Sequence, residues 1–470
     1  MKRSPLFHLT LGLMVVIAAY WAGAIHRWET QRRALPKQLC SGIPSLKQSD
    51  FPAGQSCRKT AGLEYRGYIV KYKEGTKRSA IEALLSRLKG EHVNEYKYLP
   101  GLSFETVGAS LSVEDVLRIY RADPNVEFVE PNYVYYPSDS WPNDPGFEQQ
   151  WGHHNTGQPI QGRPGGKAGA DISAIAAWNS STGSKDIVVG VVDSGVDYLH
   201  PDLAANMWVN ENEIPDNRID DDKNGVIDDV FGYNAINNSG NPMDDNNHGT
   251  HCAGIIGAVG DNGEGIVGVN WNVRIMALKF LSGHGGGSLN DALECINYGL
   301  EMKARGVNLR VLSNSWGGGG YSKALEEAIQ RANEQGILFV AAAGNDETNT
   351  DKDPNYPSCY NVPNVVSVAA LNNNDDLAVF SNYGENTVHI GAPGVEVYST
   401  IPHGQYAYYS GTSMATPYVS GAAALVLSKT PDLKAADLKA RLLESAVPVK
   451  ALKGKVKTGG RLNANQALVE

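Results

Sequence analysis

The chain lacks several features that would assign it to a common class of protein. It has no basic stripe: its 470 residues carry a formal net charge of -10 at pH 7, with 41 Lys and Arg against 51 Asp and Glu. A nucleic-acid-binding domain normally presents a basic face. Beyond residue 25 there is also no uncharged run long enough to cross a membrane. Both absences indicate a globular protein that does not bind nucleic acid, and we expect a monomer.

Cysteine is scarce as well. The chain has five cysteines, an odd number that cannot all pair within one molecule. Cys40 and Cys57 lie close together in a polar region and could form a disulfide, although their spacing alone does not establish one. At least one thiol therefore stays free unless it pairs between chains.

The first 25 residues have the pattern of a secretory signal peptide. Lys2 and Arg3 precede an uncharged run from Leu9 to Ile25, and Ala22-Gly-Ala24 offers small residues for cleavage. We therefore expect a secreted, extracellular protein in an oxidising and calcium-rich environment. If it is not cut, the run is just long enough to span a membrane, so membrane anchoring through residues 9–25 is the alternative.

Length and periodicity predict at least two folded units in the rest of the chain, because 470 residues are too many for one ordinary core. Residues 26–64 are polar and irregular and predict a linker. Residues 65–136 alternate strand, helix, strand, helix and strand, which predicts a small α+β unit of the ferredoxin-like kind. The expected elements are strands at 67–75, 102–106 and 125–136, helices at 79–90 and 111–124, and a further strand near 93–99.

Residues 137–470 predict an α/β domain with a parallel sheet. Several apolar runs rich in β-branched residues show no alternation, as in strands that are buried on both faces. These runs are 187–193, 273–280, 311–315, 337–345 and 365–370. Helical patterns at 289–306 and 323–336 separate them, and a last helix is predicted to begin at Thr430, an N-cap with a proline behind it. Ligands are expected at the carboxyl ends of such strands.

Three polar segments carry the residue types of nucleophilic catalysis. Asp193 ends the first buried strand, His248 opens a glycine-flanked helix, and Ser413 lies in SGTSMATPYVSG at the entrance of another helix. A nucleophilic serine needs a base, an acid that orients the base, and donors for an oxyanion, and a helix N-terminus supplies such donors. The hydroxyls beside Ser413 also suit a plain N-cap at Thr412, with Pro417 at the edge of the first turn. Each residue alone is weak evidence, but the combination favours catalysis.

The segments that hold these residues resemble a known family. DSGVDYLHPDL (193–203), HGTHCAGIIG (248–257) and GTSMATPYVSGAAAL (411–425) are similar to the three signature blocks of the subtilisin-like serine proteases, in that family's order. The unit that ends in VEFVEPNYV resembles the family's inhibitor-type propeptide. Cys252 is shared with the proteinase K and thermitase branches. The resemblance implies a secreted serine endopeptidase, made as a self-processing zymogen, with peptide and protein substrates and its own propeptide as an intramolecular inhibitor.

The resemblance also implies roles for single residues. Ser413 would be the nucleophile, His248 the base, Asp193 the residue that orients the base, and Asn345 the side-chain oxyanion donor. Cys252 follows His248 by four residues on the same helical face, so we expect it beneath the imidazole without a catalytic role. His251 competes as base, but the motif favours His248.

The same resemblance implies a substrate cleft in which exposed backbone pairs with an extended peptide. The implied residues are Gly285, Gly286 and Gly287 on one side, Ser315, Trp316, Gly317 and Gly318 on the other, and Gly344 before the oxyanion donor. Four acidic residues follow that donor: Asp346, Glu347, Asp351 and Asp353. They could favour Lys or Arg at P1, or they could simply be solvated.

Calcium is implied twice, as a structural cofactor. RIDDDKNGVIDD (218–229) resembles the first part of an EF-hand loop, with a glycine at the sharp turn. Its candidate ligands, at alternating spacing, are Asp220, Asp222, Asn224 and Asp228. The twelfth position is Phe231, so a further acid would have to come from elsewhere, Asp229 or Asp244, and a solvated acidic turn is the alternative.

A second, tight calcium site follows from the resemblance alone. It would use Asp144, Asp202 and Asn262, although Gly263 and Glu264 depart from the subtilisin loop.

Two other interpretations fit the sequence less well, and the candidate catalytic residues and Asn345 are all present. An α/β-hydrolase also places serine at a strand-to-helix turn, but Gly411-Thr-Ser-Met-Ala415 lacks the last glycine of G-x-S-x-G. That fold also needs a histidine after the serine, and none of the 11 histidines follows residue 403. The second reading is a catalytically inactive calcium-binding protein on a protease scaffold, which a broken set of catalytic residues would favour.

Overall fold

A computed structural model describes residues 58–60, 63–108, 111–133 and 139–469. The chain divides into two compact units, residues 1–137 and 138–470. The predicted signal or anchor segment, Cys40, Cys57 and most of the predicted linker lie outside the described residues. Among the helices that are described, none combines the length and the apolar character needed to cross a membrane.

The N-terminal unit is an antiparallel sheet with two helices. Its elements are β1 (Arg58–Thr60), β2 (Leu63–Tyr72), α1 (Arg78–Leu88), β3 (Glu91–Glu95), β4 (Leu102–Thr106), α2 (Val113–Ala122) and β5 (Val126–Tyr133). The strands run in the order β5-β2-β4-β3, with β1 also paired to β2. This is the ferredoxin-like arrangement that the sequence predicts. The strand β1 and the start of β2 lie within residues 26–64, which the sequence assigned to a linker.

The core of this unit contains a buried carboxylate. Glu105 of β4 is fully buried, and its oxygens accept hydrogen bonds from the hydroxyls of Tyr72 at 3.0 Å, Ser103 at 3.0 Å and Tyr120 at 2.7 Å. Burying a charge is costly unless its hydrogen bonds are replaced. Three hydroxyl donors replace them here, and they connect strands β2 and β4 to helix α2.

The C-terminal unit is larger and has a mixed helix and strand content. Its strands are β6 (Gly183–Asp193), β7 (Gly232–Asn234), β8 (Asn272–Lys279), β9 (Leu309–Asn314), β10 (Leu338–Ala342), β11 (Val365–Leu371), β12 (Ile390–Pro393), β13 (Val397–Ile401), β14 (Gln405–Tyr409), β15 (Val447–Pro448) and β16 (Gly460–Arg461). Its α-helices are α3 (Ala174–Trp178), α4 (His248–Gly257), α5 (Leu289–Ala304), α6 (Lys323–Glu334), α7 (Thr412–Lys429), α8 (Ala435–Glu444) and α9 (Ala464–Val469).

The predicted parallel sheet forms the centre of this unit. The strands run in the order β15-β16-β12-β11-β10-β9-β6-β8-β7, and β15 pairs antiparallel with β16 while the other neighbours pair parallel. In β6, Val189 and Val191 enter the core on one face, whereas Val188 and Val192 enter the core on the other. Burial on both faces explains why this strand shows no alternation of apolar and polar residues.

Two layers of helices cover the sheet. Residues of α4 and α7 belong to the core on one face, and residues of α5 and α6 belong to the core on the other. Helix α7 is buried nearly all round from Met414 to Leu427, as expected of a helix inside a large domain. The predicted caps are wrong: Gly411, not Thr412, precedes α7, and Thr430 ends α7 while Lys434 precedes α8.

Helix α4 approaches β13 through a glycine. A Cβ atom on Gly254 would lie 2.2 Å from Thr400 Oγ1 and 2.4 Å from Ser399 Oγ. Both hydroxyls donate hydrogen bonds to α4 itself, from Ser399 to the carbonyl of His251 and from Thr400 to that of Thr250, each at 2.8 Å. Close packing and hydrogen bonding therefore fix α4 against the hairpin of β13 and β14.

We expect Gly254→Ala to lower the free energy of unfolding by about 1–3 kcal/mol, because the new methyl group forces both hydroxyls away from the helix. Chemical denaturation followed by fluorescence would measure the loss. Gly320→Ala is the matched control, since a Cβ there meets nothing within 4 Å. Equal losses at the two positions would contradict this account.

Candidate active site

The candidate acid and base meet where a strand ends and a helix begins. Asp193 is the last residue of β6 and is fully buried, and His248 is the first residue of α4. Nδ1 of His248 lies 2.7 Å from Oδ1 of Asp193, and the N–H of Ser194 donates to the same oxygen at 2.7 Å. The carboxylate therefore fixes the orientation of the imidazole and leaves Nε2 for other partners.

Neighbouring charges raise the pKa of His248. Burial lowers its pKa, but the charge and hydrogen bond of Asp193, with a further contribution from the charge of Asp244, outweigh burial and raise the pKa above its ordinary value. A base held by a buried carboxylate binds a proton more readily than a free imidazole does.

The candidate nucleophile lies at the start of α7. Ser413 is half-buried, and its hydroxyl donates to the carbonyl of Ser315 at 3.0 Å. Pro417, four residues later, lies inside the helix rather than at the edge of its first turn, and it has no N–H for the Ser413 carbonyl. That carbonyl accepts instead from Ser315 Oγ at 2.8 Å and from Cys252 Sγ at 3.5 Å. The proline thus lets α7 bond to β9 and α4 beside the nucleophile.

Asn345 follows β10 and faces the same helix entrance. Its Oδ1 accepts from the N–H of Thr412 at 2.9 Å and from the hydroxyl of Thr412 at 3.0 Å. The hydroxyl of Thr412 also accepts from the N–H of Gly344, whose φ of +109° lies in the region that favours glycine. Thr412, predicted as a cap, instead orients the Asn345 amide so that its Nδ2 group is available to a ligand.

Cys252 and His251 lie on the same helix behind the base. The buried thiol of Cys252 and the ligand atoms of Asp193 and His248 lie within 4.8 Å of one another, which confirms the predicted position beneath the imidazole. Burial raises the thiol pKa well above its usual range. Burial lowers the pKa of His251 to about 3, and its Nε2 contacts the carbonyls of Val397 and Ala407 at 3.1 Å, so His251 is a packed residue.

A cavity of about 650 Å³ borders His248, whereas Ser413 and Asn345 are not among the residues that line it. It contains His248 and all the predicted cleft residues except Gly344. Sequence reasoning missed its apolar wall, which is made of Phe280, Leu281, Leu289, Ala292, Leu325 and Tyr356. Phe280 and Leu281 follow the end of β8, and Tyr356 lies in the loop between β10 and β11. Leu289, Ala292 and Leu325 lie in the first turns of α5 and α6. A periodic pattern does not distinguish cleft residues from other residues at such positions.

The acidic residues after Asn345 do not line this cavity. The carboxylate of Asp351 is already engaged, because it accepts hydrogen bonds from the backbone and side chains of Asn386 and Thr387. These residues therefore lend no support to a preference for basic side chains at P1.

The residues predicted for the tight calcium site lie together. Asp202 Oδ1 accepts from the side chain of Asn262 at 2.9 Å, and Asp202 Oδ2 accepts from the N–H of Ile266 and the hydroxyl of Tyr406. Asp144 Oδ2 accepts from the N–H of Asp261, whereas its Oδ1 is buried without a hydrogen-bond partner. Burial raises the pKa of both aspartates to about 6, and an unpaired buried oxygen is what a cation site requires.

The carboxylates that lie together at the acidic loop are not the whole set predicted from the sequence. Carboxylate oxygens of Glu213, Asp220 and Asp222 lie within 4.8 Å of one another, and the side chain of Asn224 donates to Asp222 at 3.3 Å. Asp228 is not in this group, since its oxygens accept from the N–H groups of Asn217 and Arg218. Glu213 lies upstream of the motif, where no spacing pattern could identify it.

The two acids offered as alternatives for the missing ligand, Asp229 and Asp244, lie outside the group of three carboxylates. Asp229 accepts from the side chains of Asn210, Asn224 and Tyr298. Asp244 is occupied by five donors near His248.

Comparison with known proteins identifies the family of the chain. The sequence model of the subtilase family matches residues 184–467, which is more than half of the chain. The chain belongs to the subtilase family. A second model, that of the fervidolysin N-terminal prodomain, matches residues 68–132, so the N-terminal unit of this subtilase is a prodomain.

Individual relatives of this subtilase are proteases by name. A thermophilic serine proteinase of Bacillus sp. (strain AK1) is 37% identical over 320 residues, covering 68% of this chain and 67% of the relative. Subtilisin-like protease 1 of Plasmodium falciparum (isolate 3D7) is 37% identical over 297 residues, covering 59% of this chain and 42% of the relative. The subtilase thus spans less than half the length of that relative.

A solved structure resembles the subtilase as well. A protease from Pseudoalteromonas arctica PAMC 21717 has a TM-score of 0.56 and 27% sequence identity, covering 70% of this chain and 99% of that one. Together with the family match, this likeness confirms the predicted fold.

We expect mercurial reagents to inhibit this subtilase by modifying Cys252, because the bulky adduct would displace the imidazole of His248 above it. Cys252→Ala should keep activity within about threefold of the unmodified protein and lose most of the inhibition. Peptidase assays with and without the reagent would measure both. Cys359→Ala, which removes a half-buried free thiol elsewhere, is the control and should stay sensitive. Inhibition that persists in Cys252→Ala would contradict the assignment.

Proposed function

We propose that this subtilase is a serine endopeptidase that cleaves peptide bonds through Asp193, His248 and Ser413 by way of an acyl-enzyme. The observation that carries the proposal is the 2.7 Å contact between Asp193 and His248 beside a cavity of about 650 Å³. The family match and the protease names of the relatives support the same chemistry.

The catalytic steps follow from the side chains. The hydroxyl of Ser413 leaves the Ser315 carbonyl and attacks the substrate carbonyl, while Nε2 of His248 takes its proton and later gives it to the leaving amine. Asp193 holds the Nδ1 proton and stabilises the imidazolium because its carboxylate is buried and 2.7 Å away. A water molecule then releases the acyl group by the same steps in reverse.

The oxyanion would be stabilised by two donors. Nδ2 of Asn345 is oriented by the bonds that Thr412 donates to Oδ1, and the N–H of Ser413 lies in the first turn of α7, where helix N–H groups have no partner within the helix. Both donors are held before substrate arrives, so they need little rearrangement during the reaction. The alternative of an inactive scaffold protein has no support from the comparisons, and the four residues that the mechanism needs, Asp193, His248, Ser413 and Asn345, are all present.

The cavity favours substrates with uncharged side chains. Its lining contains no Asp, Glu, Lys or Arg, and glycine-rich segments on both sides expose backbone groups to an extended peptide. An unfolded or extended protein segment is therefore the expected substrate.

The prodomain would act as an intramolecular inhibitor that is cut off by the enzyme itself. We place the cleavage between about Tyr133 and Trp141, a segment of which residues 134–138 lie outside the described part. Secretion through residues 1–25, with membrane anchoring as the alternative, belongs to the same proposal.

Calcium would stabilise the catalytic unit at two places. Asp144, Asp202 and Asn262 would form the tight site, where the buried and unpartnered oxygen of Asp144 fits a cation. Glu213, Asp220 and Asp222 would form the second, because three carboxylates converge there and hard oxygen ligands suit Ca²⁺. The ion supplies charge compensation at both sites and takes no part in the reaction.

We expect Ser413→Ala to abolish peptidase activity and to leave the full-length chain uncut, because the nucleophile is missing. N-terminal sequencing of both proteins, produced in parallel with and without calcium, would locate the processed bond in the active protein alone. Ser410→Ala is the matched control, since it removes another hydroxyl of the same segment, one that accepts from the N–H of Glu396. Cleavage of purified Ser413→Ala at the same bond would refute self-processing.

We expect calcium to raise the unfolding temperature of the Ser413→Ala protein, since an ion at 100 times its Kd stabilises by about 2.7 kcal/mol. Asp202→Asn and Asp220→Asn should each remove one part of the shift, because each takes a charge from one site. Calorimetric titration would count the ions, and Asp186→Asn, an exposed aspartate outside both sites, is the control. A calcium shift that is unchanged in both site variants would overturn the assignment.

A further inference from the structure

We propose that Asp244 is a positioning residue for the catalytic pair, because its buried carboxylate joins the residue after Asp193 to the helix turn that begins with His248. The inference rests on the catalytic roles proposed above for Asp193, His248 and Ser413. It assigns a function to an aspartate that the sequence offered only as a spare calcium ligand.

Asp244 is 5% exposed and has an unusually complete set of donors. Its Oδ1 accepts from Ser194 Oγ at 2.9 Å and from the N–H groups of Asn246 at 2.9 Å and Asn247 at 3.1 Å. Its Oδ2 accepts from the N–H of Thr250 at 3.0 Å and from the hydroxyl of Thr250 at 2.6 Å. Five donors on two oxygens match a carboxylate, whereas an amide would turn its own N–H groups against some of them.

These bonds close a ring around the contact between Asp193 and His248. Ser194 donates its N–H to Asp193 Oδ1, and its hydroxyl accepts from the N–H of Gly249, the residue after His248, at 2.9 Å. The same hydroxyl donates to Asp244, which also holds the N–H of Thr250. Asp244 therefore fixes the residues that follow both members of the pair, and hence the spacing between β6 and α4.

A buried lysine, Lys279, also bonds to Ser194, a member of this ring. Nζ of Lys279, which is 3% exposed, donates to the carbonyl of Ser194 at 2.5 Å, to that of Leu281 at 2.9 Å and to Asp245 Oδ1 at 2.6 Å. Ser194 is thus held through its N–H, its hydroxyl and its carbonyl. Lys279 pairs with Asp245, and no ion pair of Asp244 is found in the part of the chain that the structure describes, so its negative charge acts on His248.

The negative charge of Asp244 also favours the protonated form of His248. The ionisable groups around this imidazole are Asp193 at the end of β6, Asp244 in the preceding loop, His251 and Cys252 on its own helix, and the Lys279–Asp245 pair. Burial keeps His251 and Cys252 uncharged, so the two aspartates determine the balance. Losing the charge of Asp244 should make the imidazolium less stable.

The test compares Asp244→Asn with the unchanged chain. We expect kcat to fall about tenfold or more with little change in KM, because the substitution disturbs the geometry of the pair but not the cleft. The acidic limb of the kcat/KM profile should move to lower pH, since removing a negative charge lowers the pKa of His248. Proton NMR of the imidazole Nδ1 proton in a Ser413→Ala background would follow the same titration without any activity.

Controls separate positioning from simple loss of stability. Asp171→Asn alters an aspartate of similar burial, 7% exposed, that accepts from the backbone of Asn155 and Ser173, away from the pair. It should lose stability without a change in kcat or in the titration. If Asp244→Asn does not fold, Ser194→Ala, which keeps the carboxylate but breaks the ring, should show a smaller fall in kcat.

Three results would overturn the inference: unchanged kcat and titration in Asp244→Asn, the same fall in Asp171→Asn, or an unchanged kcat in Ser194→Ala. Activity that survives in Ser413→Ala would instead refute the proposed function, and the NMR titration would still test Asp244. The two failures are therefore distinguishable.

Discussion

The contact between Asp193 and His248 is the interaction on which the rest of the catalytic unit depends. Its two residues come from elements of different kinds, the end of a buried strand and the first turn of a helix, so neither element alone can set their distance of 2.7 Å. The strand β6 is fixed by parallel pairing to β8 and β9. The helix α4 is fixed by Gly254, which lets it approach β13, and by the bonds from His251 to two hairpin carbonyls. The hairpin therefore helps to set the position of His248 through its hydrogen bonds to α4.

The first turns of α7 contain two features that are unfavourable for a helix, an internal proline and an N-cap without a side-chain hydrogen bond. A proline inside a helix normally costs a hydrogen bond, and here it frees the carbonyl of Ser413. That carbonyl bonds to Ser315 and Cys252, which tie the helix to the end of β9 and to α4. Thr412, which could have capped the helix, bonds to Asn345 after β10. Three segments distant in sequence are thus held at one point, where the nucleophile lies.

The sequence predicts the buried strands and the candidate catalytic residues better than the short strands and the hydrogen bonds between distant segments. Buried parallel strands are long and rich in β-branched residues, so β6, β8, β9, β10 and β11 were predictable, and the signature segments placed Asp193, His248 and Ser413. The strands β7 and β12 were missed because three and four residues carry too little pattern. The strands β13 and β14 are as long as β10, but neither has the uninterrupted aliphatic run of the buried strands. Glu213 was missed because it reaches the acidic loop from outside the motif. Hydrogen bonds such as those of Thr412 depend on tertiary contacts that no local pattern encodes.

The supply of donors distinguishes the buried carboxylates of the molecule from one another. Glu105 and Asp244 are surrounded by hydroxyl or N–H donors, so hydrogen bonds from the protein replace those that water would make to them. Asp144 keeps one buried oxygen without a hydrogen-bond partner, which is the observation behind the calcium site proposed there. Asp193 also has an unpartnered oxygen, Oδ2, while its Oδ1 contacts the imidazole of His248. Among the described residues, Asp144 and Asp193 are thus the buried carboxylates that keep an oxygen without a hydrogen-bond partner.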